Sequence, residues 1–260
     1  MKILFFKAFY KTFSAVLPLI TYRSLLNKYS APFNVNKYST YVNFKLDKSQ
    51  VEYLDNYIHE YSDTLKLAPI SLSPFQMPEY LLSVNFYNCS STLFLNNEQD
   101  VTRFELNTYV RDKDNNLGTL IVDYCSNSLS LDPVDLFKSK DNVSFVRTND
   151  TIKIDVNNEK IRFSIDYNYL ETRKHKISRS FIKYTDNIFY KNGVCDKLYY
   201  DSSLINSDTR TPSKPARFKF NYKDLVFEKI HSIFYFNNNL RFICNIWDNF
   251  YSKIDGIREL

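Results

Sequence analysis

From Arg103 to Arg111 the chain alternates strictly in character. Arg103, Glu105, Asn107, Tyr109 and Arg111 fall on one parity, and Phe104, Leu106, Thr108 and Val110 on the other. Side chains that change sides at every residue belong to an extended strand, because successive Cβ atoms leave opposite faces of the pleat. A polar turn ending at Gly118 follows, then an apolar strand, Thr119 to Tyr124, and a short helical turn, Leu131-Asp132-Pro133-Val134-Asp135-Leu136-Phe137. Further strands are predicted over Tyr80–Tyr87, Phe145–Arg147, Thr151–Val156, Lys160–Tyr167, Ile188–Tyr190, Val194–Tyr200 and Arg217–Tyr222, with a long final hairpin from Leu225 to Trp247.

Ahead of these, Tyr41–Leu46 reads as a strand and about Lys48–Tyr61 as a helix. Asp47 is placed to cap it, Gln50 completes a capping box, and Val51, Leu54, Ile58 and Tyr61 recur at helical spacing. Leu67–Pro78 carries Pro69, Pro74 and Pro78, so it reads as a connector or an edge. Only 3 glycines occur in 260 residues, which leaves asparagine to supply the left-handed turn positions. Asp114–Gly118, Asn157-Asn158, Asn192-Gly193 and Asn237-Asn238-Asn239 each stand between β-rich segments, and Ser202–Pro215 reads as a loop. Phe and Tyr, 22 and 21 of each, suit pleated half-buried surfaces, although an AT-rich genome enriches them too. The expected fold is α+β and predominantly antiparallel β: a large barrel-like sheet with N-terminal helices. Residues 1–26 form an N-terminal helical segment and residues 27–260 a single domain.

Several function classes are disfavoured. The net charge of +5 is spread out, and the densest basic run, Arg173-Lys174-His175-Lys176, reads as a solvated loop, so no nucleic-acid partner is expected. Cys89, Cys125, Cys195 and Cys244 form no CxxC pair, and His59, His175 and His231 have no ligand spacing, so no metal is expected. Glycine loops for phosphate or dinucleotide and a serine elbow are missing from the sequence, and no cofactor is expected. The apolar stretch Phe13–Tyr22, interrupted by Pro18, is too short to span a bilayer, which takes about twenty residues. A packed helix in a cytoplasmic protein is the expectation for residues 1–26, with peripheral membrane contact or an organellar role as the alternative.

The polar parity of the Arg103 strand either faces water or lines an interior where Arg and Glu must pair. The segment Arg103–Val110, the turn to Gly118, the apolar strand and the short helix resemble the central region of the acetoacetate decarboxylase superfamily. That resemblance covers at most about a quarter of the chain. It implies a barrel-like sheet around a cavity and, in the decarboxylase members, a lysine that forms a Schiff base with a keto acid. By position it points to Glu105 and Lys138 as catalytic residues. By analogy it points to Arg103 as a contact for a carboxylate; Asn107 and Tyr109, on the same polar parity, are the expected ligand-binding neighbours. Where the family has a Gly-aromatic-Pro turn before its lysine, this chain has Asp135-Leu136-Phe137-Lys138-Ser139-Lys140. A Schiff-base lysine must lose its proton near neutral pH; Lys140 favours that loss, whereas Asp135 and Asp141 oppose it. The expectation is therefore a small-ligand-binding protein without Schiff-base catalysis. A lyase acting on a small keto acid and a structural or membrane-surface protein are the alternatives.

Overall fold

The computed structural model describes residues 33–60, 62–90, 101–127, 143–189, 195–200, 204, 206–213 and 216–244, with only the backbone of 33, 195–200 and 241–244. Its elements begin with β1 (Phe33–Val35), β2 (Ser39–Lys45), helix α1 (Lys48–His59) and β3 (Lys66–Leu67). Three long or medium strands follow, β4 (Leu81–Ser90), β5 (Val101–Arg111) and β6 (Leu117–Ser126). Next come β7 (Val143–Arg147), β8 (Thr151–Asn157), β9 (Ile161–Asn168), β10 (Thr172–Lys174) and helix α2 (Arg179–Thr185). The remainder is β11 (Asn187–Phe189), β12 (Cys195–Tyr200), β13 (Thr209–Pro212), β14 (Arg217–Tyr222), β15 (Leu225–Phe227), β16 (Ser232–Phe236) and β17 (Leu240–Cys244). The residues of the expected N-terminal helix and of the short helical turn before Lys138 lie outside those described.

Twelve strands make one sheet in the order β10-β13-β16-β2-β4-β1-β17-β12-β11-β6-β5-β3, with β4 also paired to β5. All neighbours are antiparallel except β11 and β6, where Ile188 stands opposite Thr119. The added β4–β5 pairing makes the order double back, but the expected barrel-like sheet is corrected: no closed barrel forms among the described residues. Five strands, β15-β14-β9-β8-β7, make a second sheet. This is the expected class: mostly antiparallel strands, with two helices among the described residues.

The expected final hairpin is corrected. β16 pairs with β2 and β13, and β17 pairs with β1 and β12, so the two never pair with each other. β1 and β2 run end to end along β4, and β17 and β16 run end to end along their other side. The Asn237–Asn239 link steps from one segment to the next, facing the turn at Tyr38, whose φ is 76°. Asn239 Oδ1 accepts from the Lys37 N–H at 2.8 Å across that step. An Asn-rich signal marks a break in a strand, but a break can rejoin the same edge instead of reversing the chain.

Local rules account for α1. Asp47 accepts from the Gln50 N–H at 2.9 Å, and the Gln50 side chain accepts from the Asp47 N–H at 3.0 Å, closing the capping box. The helix buries Leu54 and Ile58. The smaller sheet covers one face of the large one, here called the outer face. There Phe104, Leu106 and Val110 of β5 join Val84 and Phe86 of β4 and Ile154 and Phe163 of the second sheet. Aromatic pairs span the two layers: Phe104 lies 5.4 Å from Phe163, Phe86 is stacked 5.3 Å from Phe145, and Phe44 lies 4.8 Å from Phe220. No helix among the described residues is long and apolar enough to cross a membrane.

Candidate functional site

The face of the large sheet turned away from the second sheet, here the inner face, receives the other parity of β5. It carries Arg103, Glu105, Asn107 and Tyr109. Pairing with β4 sets Tyr87 opposite Arg103, Asn85 opposite Glu105 and Ser83 opposite Asn107. One further strand over, Tyr41 stands opposite Asn85 and Asn43 opposite Ser83. Residues directly opposite share a face, so three strands bring one continuous polar patch together. The patch is dry: Glu105 keeps 8% of its surface exposed and Asn107 3%.

A buried carboxylate needs partners, and Glu105 has three. Arg103 Nε lies 2.7 Å from Oε1, and Tyr87 donates its hydroxyl to the same oxygen at 2.7 Å. Asn107 donates its amide to Oε2 at 3.4 Å. Burial pushes the Tyr87 hydroxyl well above its ordinary range, so it stays protonated and remains a donor. The Arg103 guanidinium also lies over the Tyr124 ring, 5.2 Å from its centre.

The orientation of Asn107 follows from chemistry. An ionised carboxylate only accepts, so the nitrogen of the amide must face Glu105. Its oxygen Oδ1 is thereby aimed away, and it is buried without a hydrogen-bond partner. Such orphaned acceptors are uncommon, since most buried polar atoms are paired. Beside it the β5–β6 register slips: Leu106 stands opposite Asp123 and Asn107 opposite Ile121, so Val122 is an extra residue. A bulge of this kind re-aims side chains, and bulges concentrate next to functional sites.

Tyr109 continues the same face beyond Asn107. Its hydroxyl meets Ser83 Oγ at 3.0 Å, and burial raises its pKa. Tyr184 of α2 packs edge-on against its ring at 5.5 Å. Phe181 of the same helix packs edge-on against Tyr41 at 5.4 Å. Helix α2 thus covers this part of the inner face. Its N-cap Ser178 accepts from the Phe181 N–H at 2.9 Å and bonds to the Ser71 carbonyl. Lys138 lies outside the described residues. The structure therefore brings Arg103, Glu105 and Asn107 together, and Tyr109 joins the same face through Ser83, which stands opposite Asn107. It adds Tyr87, which parity within one strand could not reveal; knowing that Tyr80–Tyr87 pairs with Thr102–Arg111 would have been enough.

The remaining sequence candidates are placed separately. His59 lies 3.8 Å from Asp55 on α1, and His231 lies 3.1 Å from Glu79, just ahead of β16 and not within a strand. Ser202–Pro215, read as a loop, contributes β13 to the sheet, and Arg173 and Lys174 of the basic run sit in β10. Among the described residues no group of three or more His, Cys, Asp or Glu could hold a metal ion. Cys89 and Cys125 are buried and not joined in a disulfide, and Cys125 Sγ accepts from the Asn158 side-chain amide at 2.9 Å.

Comparison with known proteins finds no family profile and no curated protein that matches this sequence. Solved structures do match. Acetoacetate decarboxylase from Legionella pneumophila is similar at 12% identity and a TM-score of 0.47, covering 82% of this chain and 85% of its own. An acetoacetate decarboxylase-like enzyme from Sphingomonas wittichii RW1 is similar at 8% identity and a TM-score of 0.46, covering 83% and 92%. The enduracididine biosynthesis enzyme MppR is similar at 6% identity and a TM-score of 0.48, covering 84% and 88%.

Proposed function

We propose that this chain binds a small ligand on the inner face of its large sheet, at Glu105 and Asn107, and does so without a Schiff-base lysine. The observation that carries this reading is the buried Asn107 Oδ1, fixed in direction by Glu105 and left without a donor. An unpaired buried acceptor costs about 1–3 kcal/mol, and a ligand that brings a donor recovers that cost. The ligand therefore carries a hydroxyl or an N–H. Arg103 pairs with Glu105 at 2.7 Å and brings a guanidinium to the same place, which suits a ligand that is also acidic.

A pair of probes isolates the donor. Acetoacetate and 3-hydroxybutyrate differ in presenting a carbonyl or a hydroxyl at the same carbon. Calorimetry on the full chain is expected to show 3-hydroxybutyrate binding about tenfold tighter, a preference of about 1.4 kcal/mol that Asn107→Leu removes. Borohydride reduction in the presence of acetoacetate is expected to leave no adduct. A covalent adduct that disappears with Lys138→Ala overturns the reading in favour of a keto-acid lyase.

A further inference from the structure

A second region, away from Glu105, has the makings of a binding site. β10 is the last strand of the large sheet, and beside it the chain passes through residues 228–232 on its way into β16. Between them opens a cleft of about 670 Å³. Ligand pockets commonly measure roughly 300–1,000 Å³, so it has room for a molecule well beyond a lone ion.

Its walls have two characters. Ala216, Phe218, Ile230 and Ile233 supply an apolar side. Arg173, Lys174 and Lys229 supply three cations, and Glu228 is the one carboxylate among the described lining residues. The two histidines of the cleft leave that balance unchanged at neutral pH. Burial lowers the pKa of His175, and burial also lowers that of His231 against the opposing pull of Glu79. Among the described lining residues cations outnumber carboxylates by two; Arg173 and Lys174, neighbours in β10, leave opposite faces of the strand, so these cations stand around the rim of the hollow.

Both histidines are held in place. His231 is gripped by Gln76 and by Glu79, and Glu79 is in turn 2.5 Å from Lys45. His175 is stacked on Phe234, with ring centres 4.9 Å apart and planes within 5°. One nitrogen of His175 bonds to the Leu72 backbone, and its Nε2 is buried with no hydrogen-bond partner. In the neutral ring that nitrogen is an acceptor. Thr211, Ser213 and Ser232 add hydroxyls around the same hollow.

We propose that this cleft binds a small molecule carrying a phosphate, or another doubly charged oxyanion, on an apolar body. The charge excess matches a dianion, and Arg173 offers the planar fork that oxyanions accept. The apolar side gives the body of the ligand somewhere dry to rest. A nucleic acid is a poor match, because these cations gather around one hollow instead of tracking a backbone. This site is independent of the Glu105 patch and does not rest on the reading given for it.

The test uses the full chain and three probes by calorimetry at low salt: phenyl phosphate, inorganic phosphate and phenol. Phenyl phosphate is expected to bind at least about tenfold tighter than inorganic phosphate, with phenol giving no detectable heat. The double variant Lys174→Ala with Lys229→Ala is expected to weaken phenyl phosphate at least about tenfold. Lys66→Ala with Lys153→Ala removes the same charge from exposed positions elsewhere, and is expected to change affinity less than about twofold. Melting curves of both double variants confirm that they fold. Equal binding of the two phosphates, no binding of either, or an equal loss in the control pair would overturn the proposal.

Discussion

The two faces of β5 are buried to nearly the same degree and are built from opposite chemistry. Phe104 is wholly buried on the outer face, and Glu105, its neighbour in sequence, keeps only 8% of its surface on the inner face. The outer face is held by volume: rings from two sheets interlock at separations near 5 Å. The inner face is held by pairing, through one carboxylate that satisfies an arginine, a tyrosine and an asparagine. A core held by volume resists any change in size. A core held by pairing resists the loss of a partner, and it can leave one group unsatisfied for a ligand to complete. The candidate site belongs to the second kind, and the scaffold to the first.

That contrast makes the outer face the place for the largest effect. Phe104→Ala should cost about 4 kcal/mol in urea unfolding, since it empties a ring site between two layers. A loss below about 1 kcal/mol would mean that the layers are not tightly packed. Adding volume is expected to hurt the same side less. A Cβ on Gly118 would stand 2.5 Å from the Phe189 ring and 2.8 Å from the Asn187 carbonyl, so Gly118→Ala must push β11 away from β6. The expected cost is about 2 kcal/mol, read from the same unfolding midpoints.

Acidity provides a smaller effect and acts through the polar groups alone. His175 and His231 have pKa values lowered by burial in the folded chain, from an ordinary value of 6.5. Below about that pH the unfolded chain takes up protons that the folded chain refuses. Their contribution is therefore complete above pH 6.5 and falls as pH drops toward each folded value. Unfolding midpoints should decline in that window, and His175→Gln should make the decline shallower. A midpoint that holds steady on acidification through it would place both imidazoles in water.

Much of this architecture was legible. The parity of Arg103–Arg111 assigned each residue to its face correctly, and the Asp47–Gln50 box located the start of α1. What stayed hidden depended on contacts distant in sequence. Alternation says which side chains share a face, not whether that face meets water, so the burial of Glu105 could not be read from β5 alone. Asn237–Asn239 looked like a reversal, yet the competing partners β1 and β2 drew the flanking strands into line. Helix α2 is too short for periodicity to reveal, although Ser178 ahead of Phe181 and Tyr184 was a usable cap signal. β10 and β13 form because each finds the other, Arg173 opposite Thr211, and neither segment advertises a strand by itself. The basic run read as a solvated loop for the same reason.

The most direct test is a double-mutant cycle on the inner face, with Arg103→Met, Glu105→Leu and the two combined, each followed by urea unfolding. The side chains of Arg103 and Glu105 keep 12% and 10% of their surface exposed, 2.7 Å apart. Each single change should then cost about 3 kcal/mol, and the pair together should cost less than either alone, because no charge is left stranded. Single losses below about 1 kcal/mol that simply add, as an exposed pair gives, would contradict the account.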